Sequence, residues 1–299
     1  MGSKAKTDQH GRRSKTNEMI KAFKKDEALL KDILDTDQTS NDVTLWWLGQ
    51  SGYLIQYQEV RILVDPYLSD SLTIKYQDTE KPHVRISEKV INPENLPRID
   101  FISSSHNHTD HLDAETIHPI LKKSPNCRLI IPEANRNFIA DRLAINSSLP
   151  IGLNAGESFT EDKISFHAIP AAHNQLDKNE EGKHLYLGYI IQLGDFTIYH
   201  SGDTLYYEGM EEWIKPFKPS IALLPINGND PARKVAGNLN ATEAVELGKK
   251  CNMPVVIPCH YDLFAFNTAD VNEFMTIANK SDQRHCVMEL GGKFSSHEI

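Results

Sequence analysis

Short β-rich runs recur along this chain from Val43 onward, and several of them end in histidine or aspartate. Few folds accommodate that pattern. The runs are 43-VTLWWLGQSGYLIQY-57, 61-RILVDPYL-68, 99-IDFISSSH-106, 128-RLIIPEA-134 and 164-ISFHAIPAAH-173. They continue with 186-YLGYIIQL-193, 196-FTIYHSGD-203, 220-SIALLPIN-227, 254-PVVIPCHY-261 and 285-HCVMEL-290. Segments 113–123, 135–145, 242–250 and 270–279 read as helices between them, the third entered through Asn240. Strands interleaved with helices, without an internal repeat or a long linker, predict one α/β domain of layered sheets over residues 41–299. Functional side chains in such folds gather at strand ends, on loops that a rigid sheet holds in place.

Upstream of Val43 the pattern differs. Residues 1–16 are polar and are expected to be disordered. Met19, Ile20, Phe23, Leu30, Ile33 and Leu34 recur at helical spacing, which predicts an amphipathic helix over 17–36, in an appendage reaching residue 40. The polar start has no signal-peptide core, and no apolar run approaches the roughly 20 residues of a spanning helix, so a cytoplasmic enzyme is expected. The net charge of −9 argues against a general binder of nucleic acid or anionic membrane. Only 4 cysteines are present, with no C-x-x-C pair, against 13 histidines. A metal bound here is therefore expected to take imidazole and carboxylate donors.

The sharpest signal is 103-SSSHNHTDHLD-113, where His106, His108, Asp110 and His111 follow an apolar strand within one bend. Alternating His106 and His108 can address one ion, and Asp110 with His111 a second ion about 3.5–4 Å away. Further donors end other strands: His173, Asp203 and His260. His106, His108 and His173 suit one ion; Asp110, His111 and His260 suit the other, with the Asp203 carboxylate bridging. Nitrogen and oxygen donors of this kind fit zinc, manganese or iron.

His-x-His-x-Asp-His followed by separated His, Asp and His at strand ends resembles the metallo-β-lactamase superfamily. That resemblance covers roughly residues 43–295 and implies a four-layer αββα sandwich with a dinuclear site at the edge of the two sheets. The strings 46-WWLGQSG-52, 199-YHSGDT-204, 257-IPCHYDLF-264 and 290-LGGKF-294, and the segment 227–248, resemble the L-ascorbate-6-phosphate lactonase-like branch. His173 departs from that lactonase, whose pattern has Asp there. The string 106-HNHTDHLD-113 is also shared with the N-acylphosphatidylethanolamine phospholipase D family, which differs where this chain has Tyr261-Asp262. The implied activity is hydrolysis by a hydroxide that two divalent ions make available near neutral pH. A lactone or related ester of a small, polar, anionic metabolite is the expected substrate. A phosphodiester is the alternative, and RNA processing is disfavoured by the acidic balance. Asp110 is implied both as a ligand and as the group that orients the nucleophile and protonates the leaving oxygen. The lactonase resemblance also hints at a homo-oligomer.

Softer candidates surround this set. Asp65, Asp113 and Asp262 are carboxylates that could orient ligating imidazoles. Asp65-Pro66 equally suits the start of a turn, and Asp113 the N-cap of the next helix. Arg233 and Asn238, in a Gly/Asn-rich loop, could bind a phosphate or carboxylate on the substrate, or simply face solvent. Tyr261 could line the pocket or pack beside the sheet.

Overall fold

The computed structural model describes residues 19–299, so the tail expected to be disordered at 1–16 lies outside the described residues. The chain begins with helix α1 (Asp26–Leu34), then strands β1 (Val43–Gly49), β2 (Gly52–Tyr57) and β3 (Val60–Val64), helix α2 (Ser71–Tyr76) and strand β4 (Phe101–Ser103). Helix α3 (Ala114–Lys123), β5 (Arg128–Pro132), α4 (Arg136–Arg142), β6 (Ile151–Leu153), β7 (Ser158–Glu161), β8 (Ile164–Pro170), β9 (Leu187–Leu193) and β10 (Phe196–His200) follow. The last elements are α5 (Met210–Ile214), β11 (Ile221–Pro225), α6 (Ala241–Lys250), β12 (Val255–Cys259), α7 (Val271–Lys280) and β13 (Lys293–Ser295).

The strands form two mixed sheets. One is ordered β13-β1-β2-β3-β4-β5-β6 and the other β12-β11-β10-β9-β8-β7. Strands β1, β2, β11 and β12 are buried at every position, as expected of strands covered on both faces. The sheets face one another: the Phe101 and Phe166 rings lie 5.6 Å apart, and the hydroxyls of Tyr53 and Tyr189 donate to the carbonyls of Pro258 and Ser104. Helices α3, α4, α6 and α7 send Ile117, Ile139, Val245 and Phe274 into the same apolar core. The result is the metallo-β-lactamase αββα architecture, two sheets flanked by helices.

Local chemistry explains the helix starts. Asn240 and Glu243 form a reciprocal capping box at α6, and Asp113 and Asp270 accept backbone N–H groups at α3 and α7. The run 43–57 is two strands, joined by a tight turn in which Gly49 and Gln50 both have positive φ, 100° and 52°. At Gly202, φ is +61° and a Cβ would stand 2.6 Å from the Leu187 carbonyl oxygen, so only glycine brings the chain this close before Asp203.

Two expectations are corrected. The helix expected over 17–36 is shorter, spanning Asp26–Leu34 among the described residues, and it packs on the domain with Leu29 and Ile33 fully buried in the main core. Upstream of it the backbone is pulled into extended pairing instead. Ile20 N–H donates to the Ile86 carbonyl, Glu88 N–H donates to the Ile20 carbonyl, and the Glu88 carboxylate gathers Lys21, Lys25 and the Ala22 N–H. The run 285–290 is not a strand. It makes a single bridge from His285 to Val256 before the chain turns at Gly291. Strands β6, β7 and β13 and helices α2 and α5, each only three to six residues long, lie outside the segments that periodicity marks.

Candidate metal centre

Five loops converge at one edge of the sandwich, each at the carboxyl end of a strand. Asp65 directly follows β3, and the bend carrying His106, His108, Asp110 and His111 links β4 to α3. His173, Asp203 and His260 follow β8, β10 and β12. Parallel neighbours place their carboxyl ends at a common edge, which is why donors far apart in sequence meet here.

The donors meet closely. In the trios His106–His108–His173, His106–His111–Asp203 and Asp110–His111–His260, the candidate ligand atoms lie within 4.8 Å of one another. Asp203 Oδ2 is 3.1 Å from His260 Nε2, 3.4 Å from His111 Nε2 and 3.6 Å from His173 Nε2. Asp110 Oδ2 is 3.6 Å from His111 Nε2 and 3.8 Å from His260 Nε2.

The electrostatics call for a cation. Burial holds His106 and His173 below the usual imidazole pKa and His108 at about 4, so these rings are neutral at pH 7. His111 behaves oppositely. Burial disfavours its charge, but the carboxylates of Asp203, Asp110 and Asp65 outweigh that and push its pKa well above the usual value. Burial also opposes ionisation of Asp203, yet His111 and His260 hold its carboxyl well below the usual range. Among the described residues no Lys or Arg nitrogen comes within 4.0 Å of these three carboxylates, and the titratable nitrogens that do are imidazoles. His106 Nε2, His111 Nε2 and Asp203 Oδ1 are buried without a hydrogen-bond partner. Neutral imidazoles, ionised carboxylates and orphaned donor atoms together fit a metal ion.

Outer contacts orient these rings. Asp65, fully buried, accepts His111 Nδ1–H at 2.6 Å, the Ser105 N–H at 2.7 Å and the Ser105 hydroxyl at 2.5 Å. His173 Nδ1–H donates to the Gly237 carbonyl at 2.9 Å. Each leaves Nε2 facing the donor cluster, as metal-binding imidazoles require.

A family model described as a beta-lactamase superfamily domain matches residues 60–261. The chain belongs to the metallo-β-lactamase superfamily. It is a metal-dependent hydrolase of that fold. A UPF0173 metal-dependent hydrolase of Methanosarcina mazei is 29% identical over 256 residues, covering 84% of this chain and 97% of the relative. Another, from Pyrococcus furiosus, is 30% identical over 243 residues, covering 80% and 93%. Among solved structures, Igni18, a metallo hydrolase from Ignicoccus hospitalis, superposes with a TM-score of 0.63. At 23% identity, over 85% of this chain and 98% of that one, this likeness speaks for the fold.

The softer candidates separate in the structure of this hydrolase. Asp65 touches His111, whereas Asp113 caps α3 through Thr116 and accepts the Ser71 hydroxyl. Tyr261 packs in the core, stacked on Trp47 at 4.9 Å, and Asp262 lines a separate cavity with it. Arg233 donates to Asn267 Oδ1 and the Asn227 carbonyl and ties loop to loop. Asn238 lines the cavity over the donor cluster, and its buried Oδ1 has no partner.

Gln50 was not among the candidates. Its Nε2 donates to Asp110 Oδ2 at 3.0 Å and lies 3.2 Å from His260 Nε2. The available signal was the polar pair Gln50-Ser51 between two glycines in the turn joining two largely apolar strands. No helix among the described residues is long and apolar enough to cross a membrane.

Proposed function

We propose that the hydrolase holds two divalent ions, zinc or manganese with iron also suited to the donors, and opens a lactone or related ester of a small molecule. The observation that carries this reading is the position of Asp203 Oδ2, which lies within 3.6 Å of imidazoles from both expected donor sets. His106, His108 and His173 would hold one ion and Asp110, His111 and His260 the other, with Asp203 shared. Ions bound there lower the pKa of water toward about 7 and polarise the substrate oxygen. Asp110 stands at the cavity wall with its Oδ2 held by Gln50. In this reading its carboxylate orients the attacking water, takes its proton and returns it to the leaving oxygen, so that the acyl carbon gains OH and the alkoxide gains H. The strings shared with the ascorbate-6-phosphate lactonase-like branch support an ester carbonyl as the electrophile.

A phosphodiester is the second reading, supported by 106-HNHTDHLD-113 and by the suitability of paired ions for in-line displacement at phosphorus. Metal-loaded enzyme assayed against γ-lactones and against bis-p-nitrophenyl phosphate separates the two. Ring opening is expected; turnover of the diester alone would overturn the lactonase reading in favour of the phosphodiesterase.

A further inference from the structure

A cavity of about 600 Å³ opens over the donor cluster, and its two sides differ in character. Asp110, His173, Asp203 and His260 line one part of it. Another part is aromatic. Tyr67, Leu72, Leu263 and Phe264, with Tyr76 and Phe266 packed against them, form a hydrophobic cluster separate from the main core. The His83 ring lies 4.1 Å from Tyr76 in a stack, 4.6 Å from Phe266 and 5.3 Å from Phe264. Leu72, Tyr76, His83, Phe264 and Phe266 all line the same cavity as the donors. Phe264 and Phe266 stand on the loop that begins at His260, so wall and donor cluster are fixed to one another.

This wall carries no charge at neutral pH. Burial holds His83 below the usual imidazole pKa, and its Nδ1–H donates to the Lys81 carbonyl at 3.0 Å. Nearby cations are already engaged. Lys81 Nζ donates to the carbonyls of Arg233 and Lys234, and Arg142 donates to the Asn107 carbonyl at 2.6 Å. Arg233, the sequence candidate for an anion, is tied to Asn267 and Asn227. Among the described residues Arg142 and Lys75 are the Arg and Lys that line the cavity, and the Lys75 ammonium lies over the Tyr76 ring at 5.1 Å.

We propose that this wall binds the part of the substrate remote from the scissile bond, and that this part is an uncharged apolar group, an aryl ring or a short acyl chain. The proposal rests on the hydrolase reading of the neighbouring donors and replaces the small, polar, anionic metabolite expected from sequence. An apolar body against aromatic rings, with a few convergent polar groups at the reacting end, is the usual build of a small-molecule site. Asn238, which lines the same cavity, adds a polar side chain to the donors at that end.

The test uses metal-loaded, full-length enzyme with γ-butyrolactone, γ-hexalactone, γ-octalactone and γ-decalactone, and phosphogluconolactone as the anionic comparator. Specificity, kcat/KM, should rise by about fourfold per methylene until the wall is filled. Phe266→Ala and Tyr76→Ala, both at partly exposed positions, should flatten that slope. A flat slope in the wild type, preference for phosphogluconolactone, or an unchanged slope in both variants would overturn the proposal. Should no lactone open, the lactonase reading fails separately, and the wall is then read by calorimetric titration of the same lactones. Affinity that climbs with side-chain length supports the wall; affinity independent of it refutes the wall.

Discussion

Replacing Asp65 by asparagine probes how the fold prepares a donor that Asp65 itself never presents to a metal. The carboxylate accepts three hydrogen bonds, from His111 Nδ1–H, the Ser105 backbone and the Ser105 hydroxyl, in a fully buried setting. Asparagine keeps the shape but has only one acceptor oxygen. The Ser105 N–H is fixed by the backbone and claims that oxygen, so the new amide NH2 faces His111 Nδ1. The imidazole must then accept at Nδ1 and carry its proton on Nε2, the nitrogen directed at Asp203 and Asp110. A protonated Nε2 cannot bind a metal. Loss of such an outer contact costs about 10–100-fold in metal affinity, or about 1.4–2.7 kcal/mol. Asp65→Ala differs in kind, because two fixed buried donors lose their partner, at about 1–3 kcal/mol each. Competition against a chromophoric chelator measures the affinity, and thermal unfolding measures the fold. The asparagine variant should keep a Tm near wild type while its metal affinity falls; the alanine variant should lose both. An asparagine variant that binds metal as tightly as wild type would refute the tautomer argument.

Three further outcomes follow from the same structure. Gln50→Leu removes the amide from Asp110 Oδ2 and should lower kcat by about 10–100-fold in steady-state assays while metal content is retained. Leu29→Ala should lower the free energy of urea unfolding by about 2–5 kcal/mol, as for a core residue; a change below about 0.5 kcal/mol would mean that α1 is peripheral. In metal-free protein, His108 binds its proton only near pH 4, whereas in the unfolded chain it does so near its ordinary 6.5. The unfolded state therefore holds more protons in that window, and the Tm of metal-free protein should fall as pH drops from 6.5 toward 4.

Much of the fold could be read ahead because its signals are local. Apolar runs such as 254-PVVIPCHY-261 have no helical period, and Asn240 with Glu243 is a complete capping box in four residues. The donor cluster was legible for a related reason: neutral histidine and aspartate at strand ends have few other uses, and parallel strands fix which ends meet. What the sequence concealed was decided by partners distant along the chain. Residues 19–25 have helical spacing, but Ile86, Glu88 and Leu290 offer the backbone better partners. Gln50 looks like an ordinary turn residue until the fold sets its amide against Asp110. The aromatic wall joins α2, the loop after it and the loop after β12, and no single stretch contains it.

The number of divalent ions bound per chain tests the dinuclear reading at its root. Enzyme stripped with a chelator, loaded with excess zinc or manganese and desalted should retain two ions per chain by plasma mass spectrometry, with hydrolytic activity restored in parallel. Retention of one ion or none at full activity would contradict a shared Asp203 and the hydrolytic chemistry built on it.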